Sequence, residues 1–333
     1  MTLHAPVPSV VANTHQMISP YIRRTPLVRS KGQGEIFLKC ENLQLTGSFK
    51  VRGALSGLLN YRRFQPDVWS HMKSQGVVTC SSGNFAQALA YATTRLALDY
   101  TVIVPDQITP AKVAGIIGHD PGAHIVRVPY RTWQQTMLTG EHPEFPGFFL
   151  SCETDDYVTQ GNGTVGLEIF EDLPTVDAVL VPYGGGNLTY SLATYFAGRG
   201  ISVFAVEVTT GAALSASLRA GEPVEIEYSP SFVDGIGASF VLPQQFYRVK
   251  DVIAGVLTVT PEEVAEALGS LLLKDKMLAE GAGAAALAAA RKYSDVYQWK
   301  YPCAIVSGAT IDLPNLLGVL NDVPPEGYDN ARH

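Results

Sequence analysis

Gly76-Val77-Val78-Thr79-Cys80-Ser81-Ser82-Gly83-Asn84-Phe85 opens the stretch that decides the architecture. Gly76–Cys80 is a short apolar run that reads as a buried strand, Ser81–Asn84 are turn formers, and Phe85–Leu98 carries a helical pattern. Strand Tyr100–Val104, helix Pro110–Gly118, strand Ala123–Val128, a helix through Trp133–Leu138 and strand Gly147–Cys152 follow in turn. Strands alternating with helices at this spacing predict an α/β fold whose parallel sheet is covered by helices on both faces. A second series repeats the pattern: strand Ala178–Pro182, glycines 184–186, helix Leu188–Ala197, strand Ser202–Val208 and, later, strand Ala304–Val306.

Other segments mark their own boundaries. Thr260, Pro261 and Glu263 supply a cap, a first-turn proline and a capping-box acid ahead of a helix expected over Val264–Leu278. Gly281–Ala290 is nearly all small residues, which suits a helix lying close to its neighbours in the core. The polar, proline-led tail 323–333 is expected to fray.

Composition excludes several classes. The chain has 333 residues, 46% hydrophobic and 17% charged, which fits a globular protein of about two domains. A net charge of −7 argues against nucleic acid and anionic membranes as partners. No apolar run reaches the ~18 residues of a membrane span. Met1–Ser19 lacks a basic segment followed by an apolar one, so we expect a cytoplasmic protein. Cys40, Cys80, Cys152 and Cys303 show no close pairing and read as buried thiols in a reducing compartment. No histidine stands at a motif-like spacing from Cys80, and no metal site is expected.

Three segments carry chemistry. Lys50, within Ser48-Phe49-Lys50-Val51-Arg52-Gly53, reads as an amine one turn into a helix. Gly53, Ala54 and Gly57 share its face, and so small a stripe would leave room for a planar ring. Such an amine is what a protein needs to hold an aldehyde cofactor as a Schiff base. The turn Ser81-Ser82-Gly83-Asn84 ends a strand and opens a helix, where free N–H groups and hydroxyls bind an anion such as a carboxylate. Gly184-Gly185-Gly186-Asn187 is a cup whose bare backbone can approach a phosphate. A dinucleotide site is the rival for that cup, with Glu207 at the end of the next strand. Thr189 stands where the fingerprint needs its third glycine, however, which favours a monophosphate.

Glu41–Ala54, Ser81–Gln87, Asp155–Ile169, the glycine cup, Asp234-Gly235-Ile236, Glu280–Ala284 and Ser307-Gly308, in this order, resemble the fold-type II pyridoxal-phosphate enzymes, within them the threonine dehydratase and serine racemase family. The resemblance spans roughly residues 20 to 320. It implies a two-domain, tryptophan synthase beta-like fold: a large domain of residues 1–64 plus 151–322 and a small one of 72–149. It also implies pyridoxal 5'-phosphate as cofactor, with Lys50 forming the Schiff base and later moving the α-proton. Phe49 would pack on the ring, Asn84 reach its 3-hydroxyl, Gly184, Gly185, Gly186 and Asn187 hold the phosphate, and Ser307 face the ring nitrogen. Ser81, Ser82, Gly83, Asn84 and Phe85 would seat the substrate, with Ser82 as the second acid/base. Asp234 and Glu280 would lie near the site. A hydroxyl, unlike a carboxylate, need not keep the ring nitrogen protonated, which favours prompt loss of a β-substituent.

The chain departs from that family at several places. Phe85 replaces the usual histidine, Asn187 a fourth glycine, Ala309-Thr310 the usual Gly-Asn, and Cys152-Glu153-Thr154 a His-Pro-Phe type stretch. Ala213 stands where a second acid would join Glu207 at a cation site. Phe85 makes the substrate seat more apolar, in keeping with a bulkier amino acid. No appended module for feedback control is expected beyond residue 320. The expected activity is a dehydratase or ammonia-lyase β-elimination on a β-hydroxy α-amino acid of the threonine or serine type, in a homodimer. An amino-acid racemase and a β-replacement enzyme use the same residues. A non-catalytic homologue would have no need to retain Lys50.

Overall fold

The structure, a computed structural model, describes residues 5–32, 34–81 and 83–322. The expected tail and the candidate acid/base Ser82 lie outside the described residues. Among the described residues ten strands occur in chain order: β1 (Leu27–Arg29), β2 (Phe37–Lys39), β3 (Val77–Cys80), β4 (Tyr100–Pro105), β5 (His124–Val128), β6 (Phe148–Phe149), β7 (Ala178–Pro182), β8 (Ser202–Val208), β9 (Gly255–Val259) and β10 (Pro302–Ile305). They form a six-stranded sheet in the order β1-β2-β10-β7-β8-β9 and a four-stranded sheet in the order β5-β4-β3-β6. All pairs are parallel except β1–β2.

Strands β3, β7 and β10 are buried at every position, as apolar strands between two helical layers must be. The alanine-rich segment forms the helix Gly281–Tyr297, and Gly281–Ala290 is buried throughout against β7 and β10. Small side chains there let helix and sheet close to core density.

Several boundaries differ from the sequence reading, each for a long-range reason. The helix expected to reach Leu278 spans Pro261–Leu273. Its far end is drawn off by Asp275, whose carboxylate accepts from Lys31 N at 2.7 Å and Ser30 Oγ at 3.1 Å, while Lys276 takes φ +59. The strand expected over Gly147–Cys152 is paired only at Phe148–Phe149. Beyond Leu150 the chain turns on Ser151, whose Oγ accepts from the backbone N–H of Glu153 and Thr154 at 3.3 and 3.1 Å.

Lys50 is the first residue of its helix, Lys50–Phe64, and not a turn inside it. The stripe beside it is also filled. A Cβ on Gly53 would lie 2.8 Å from Val158 Cγ1 and from Asn162 Oδ1, and one on Gly57 3.1 Å from Leu150. The stripe serves close crossing by the helix Asp156–Asp172, whose Gly161 in turn has room only for hydrogen (a Cβ would fall 2.3 Å from Arg52 O). Space for a ring lies ahead of the helix.

Candidate active site

Three chain segments bring Lys50 to its place. Ser48 bridges Gly308 in antiparallel fashion, Phe49 N–H donates to Ser307 O at 3.2 Å, and Ala309 N–H donates to Gly47 O at 2.9 Å. The lysine entry is thereby stitched to the end of β10, with Ser307 alongside. The cup follows β7, and its helix begins at Asn187. The serine turn follows β3, and its helix begins at Asn84. The two segments expected to seat anions thus stand at the carboxyl ends of parallel strands and the N-termini of helices, where N–H groups and the helix dipole favour negative charge.

Two adjoining cavities occupy the space between. One, of about 210 Å³, is lined by Lys50, Ser81, Gly83, Asn84 and Phe85 together with Lys112, Trp133, Met137, Asp234 and Thr310. The other, of about 80 Å³, is lined by Phe49, Lys50, the cup Gly184–Asn187 and Ser307. Lys50, Asn84, Glu153, Gly235 and Glu280 line both. A larger groove of about 980 Å³ lies between Val10–Met17 and Asn60–Val68. It contains neither the amine nor either anion seat.

The side chains are arranged as follows. Lys50 Nζ lies 5.1 Å from the centre of the Phe49 ring and donates to Glu153 Oε1 at 3.3 Å. Burial, the largest single influence, would lower the Lys50 pKa, but the charge and hydrogen bond of Glu153 together with Cys152 and Glu280 raise it, which favours the protonated amine. Asn84 Nδ2 donates to Glu280 Oε1 at 2.8 Å, while its buried Oδ1 has no partner among the described residues. Asn187 directs its side chain away from the cup, donating from Nδ2 to Cys152 O and Glu153 O, both at 3.1 Å. Its contribution to an anion is therefore that of its backbone. Asp234 accepts from Lys112 Nζ at 2.7 Å, a pair joining the two sides of the larger cavity. Phe85 is 1% exposed and packs into the core beneath the serine turn.

These residues suit pyridoxal phosphate. Gly186 has φ +89, and a Cβ on it would fall 2.8 Å from Tyr183 Oη, so the cup is bare by necessity. Lys50, the cup, a buried Ser307 and Asn84, whose Oδ1 has no partner among the described residues, line one space. A family model described as pyridoxal-phosphate dependent enzyme matches residues 18–308. The chain belongs to that family. It is similar to the L-threonine ammonia-lyase of Geobacter sulfurreducens, 36% identical over 306 residues, covering 89% of this chain and 73% of the relative. The crystal structure of a T.th. threonine deaminase superposes with a TM-score of 0.81 at 30% identity, covering 92% of this chain and 99% of that one. Maize serine racemase gives 0.82 at 26% identity, covering 96% and 97%. The family and the mixed α/β fold agree with the expectation from sequence, and so does the cofactor.

Members of the family share the cofactor, and this chain's own residues set its surroundings. Glu207 caps the helix Ala213–Ala220, accepting from Leu214 N, Ser215 N and Ser215 Oγ at 2.7, 2.9 and 2.7 Å. Three donors leave it a structural task. Among the described residues, no cluster of three or more His, Cys, Asp or Glu side chains is placed to hold a metal. Nor is any described helix long and apolar enough to cross a membrane.

Sequence reasoning singled out Glu280 but could not set its state. It stands at the N-cap position of the helix that follows, with no side-chain capping bond, and is 6% exposed. Burial first, then the nearby Asp234 charge, push its pKa from 4.5 to about 7 against hydrogen bonds from Asn84 and Thr310. A carboxyl with a raised pKa binds its proton more tightly in the folded state. Its contribution is therefore full below the unfolded value of 4.5 and is lost as pH climbs through about 7. Glu280→Gln should gain on the parent across that window, by up to about 3 kcal/mol. Denaturant midpoints at matched cofactor loading measure this, and parallel pH profiles for the two proteins would refute it.

Proposed function

We propose that the chain catalyses β-elimination on a β-hydroxy α-amino acid, releasing ammonia and a 2-oxo acid. The observation that carries this reading is the position of Lys50 Nζ, the amine common to both cavities, between the glycine cup and the serine turn. When bound, pyridoxal phosphate supplies an aldehyde for amines and a conjugated ring that spreads negative charge. The cup backbone, at a helix N-terminus, would hold the phosphate. Ser307 would serve the ring nitrogen as a neutral partner, and Phe49 packs beside the amine. The N–H groups opening the Asn84 helix hold the substrate carboxylate, and Glu280 fixes the Asn84 amide. Lys50, released from Glu153, takes the α-proton in its neutral form and returns a proton later. The similar threonine ammonia-lyase and threonine deaminase support elimination over replacement.

The β-substituent projects into the larger cavity, walled by Phe85, Trp133 and Met137 and carrying Glu153, Glu280 and Asp234 against the cations of Lys50 and Lys112. An apolar wall beside the carboxylates of Glu153 and Asp234 favours threonine and larger apolar analogues over acidic ones. We extend the proposal to a cytoplasmic homodimer and to domains of residues 1–64 plus 151–322 and 72–149. The test is a panel of serine, threonine, phenylserine and hydroxyaspartate, scored for ammonia, oxo acid and the D-isomer. Threonine and phenylserine should exceed hydroxyaspartate in kcat/KM by at least about tenfold, roughly one like-charge clash of about 1.4 kcal/mol. Preference for hydroxyaspartate would overturn the cavity reading, and D-isomer without oxo acid would overturn elimination.

A further inference from the structure

Glu153 is the residue of this site that the sequence reading passed over as a mere departure. Its main chain is pinned: Glu153 O accepts from Asn187 Nδ2 at 3.1 Å and from Gln245 Nε2, and Cys152 O accepts from the same Asn187 at 3.1 Å. The fourth residue of the cup therefore grips the backbone beside it and directs the side chain over the cup. A Cβ on Gly185 would fall 2.0 Å from Glu153 Cδ and 2.1 Å from its Oε2, so the carboxylate lies against the bare Gly185 backbone. The other carboxylate oxygen accepts from Lys50 Nζ at 3.3 Å and from Cys152 Sγ at 3.2 Å. Both charged side chains are sheltered, at 18% exposure for Lys50 and 14% for Glu153.

We propose that the Glu153 carboxylate is a built-in competitor for the phosphate seat, which it shares by turns with the phosphate of the cofactor. Two anions cannot occupy one cup: at such separations their repulsion, in a site screened from solvent, exceeds what the cup's N–H groups return. Loading therefore requires the carboxylate to swing off Gly185 and let go of Lys50. Glu153 lines both cavities, and its departure would open the 80 Å³ space toward the 210 Å³ one. The same movement frees the amine that must react. The carboxylate thus acts as a latch: it stabilises the protein before cofactor arrives and slows cofactor uptake.

The inference rests on the cofactor assignment alone and does not depend on which substrate is turned over. Its test uses full-length protein stripped of cofactor, with uptake of pyridoxal phosphate followed by absorbance. Glu153→Gln keeps the shape and loses the charge; Glu153→Ala removes the group entirely and guards against an amide refilling the cup. Both should take up pyridoxal phosphate about tenfold faster or tighter than the parent, the equivalent of one sheltered charge contact. Both should also melt lower when stripped, and inorganic phosphate should raise their melting temperature more than it raises that of the parent. Unphosphorylated pyridoxal separates the two halves of the latch. If the variants speed pyridoxal and pyridoxal phosphate equally, Glu153 acts on Lys50 only and competition for the cup is overturned. Unchanged uptake and unchanged phosphate response overturn the proposal altogether. Absence of a cofactor band in every variant would instead strike at the cofactor assignment.

Discussion

Lys50→Ala is expected to lower ammonia release from the best β-hydroxy amino acid by about 10³-fold or more, since on the proposed function it removes both the covalent anchor and the proton carrier. Borohydride treatment of the parent should leave a pyridoxyl group on the peptide holding Lys50, and treatment of the variant should leave none. The fold should survive the change. Alanine is a good helix former at the first position of Lys50–Phe64, and among the described residues the side chain removed contacts Glu153 and the Phe49 ring. Retained circular dichroism with lost turnover is the combined outcome. A variant that keeps even a tenth of parental activity would place the reacting amine elsewhere.

The second large effect concerns stability. Two residues beyond Lys50, Arg52 is fully buried and gripped by two buried carboxylates. It donates to Glu41 from Nε at 2.8 Å and Nη2 at 2.9 Å, and to Glu168 from Nη1 and Nη2, both at 2.8 Å. Lys39 Nζ adds a bond to Glu168 at 2.6 Å, and Thr25 Oγ1 donates to Glu41 at 2.5 Å. The four ionic side chains balance, and the cluster ties β2, the Lys50 helix and the Asp156–Asp172 helix into one body. Arg52→Leu leaves Glu41 and Glu168 buried with insufficient positive charge, and should cost about 3–5 kcal/mol. Urea midpoints measure it, and a loss below about 1 kcal/mol would show that water or repacking makes good the charge. The same grouping has a pH signature. Burial alone would raise the Glu168 pKa, but His15, Arg52 and Lys39 together hold it well below the ordinary carboxylate value. Its contribution is present above the unfolded pKa near 4.5 and is lost as pH falls through the depressed one, opposite in sign to that of Glu280.

What could be read in the chain beforehand follows the range of the forces involved. Gly76–Cys80 and Ala178–Pro182 announced buried strands because apolar runs between turn formers have few other fates. Thr260 and Glu263 announced a helix start, and the structure closes both capping bonds, at 3.3 and 2.8 Å. Lys50, the serine turn and the glycine cup stood out because each chemistry needs particular residue types within a few positions. The small stripe of Gly53 and Gly57 was legible as a stripe, yet its purpose was not. Whether it faced a ring or a second helix depended on residues about a hundred positions away.

By itself, then, the sequence determined most of the local elements, the segments expected to carry the chemistry and the family. Tertiary structure alone decided what those groups meet: Lys50 with Glu153 across 103 positions, Asn84 with Glu280 across 196, and Arg52 with Glu168 across 116. Hydrogen-bond caps, turns and hydrophobic period act over a handful of residues and leave their mark in composition. Charge pairing and burial act through space, and no short window of sequence records which carboxylate a lysine will find.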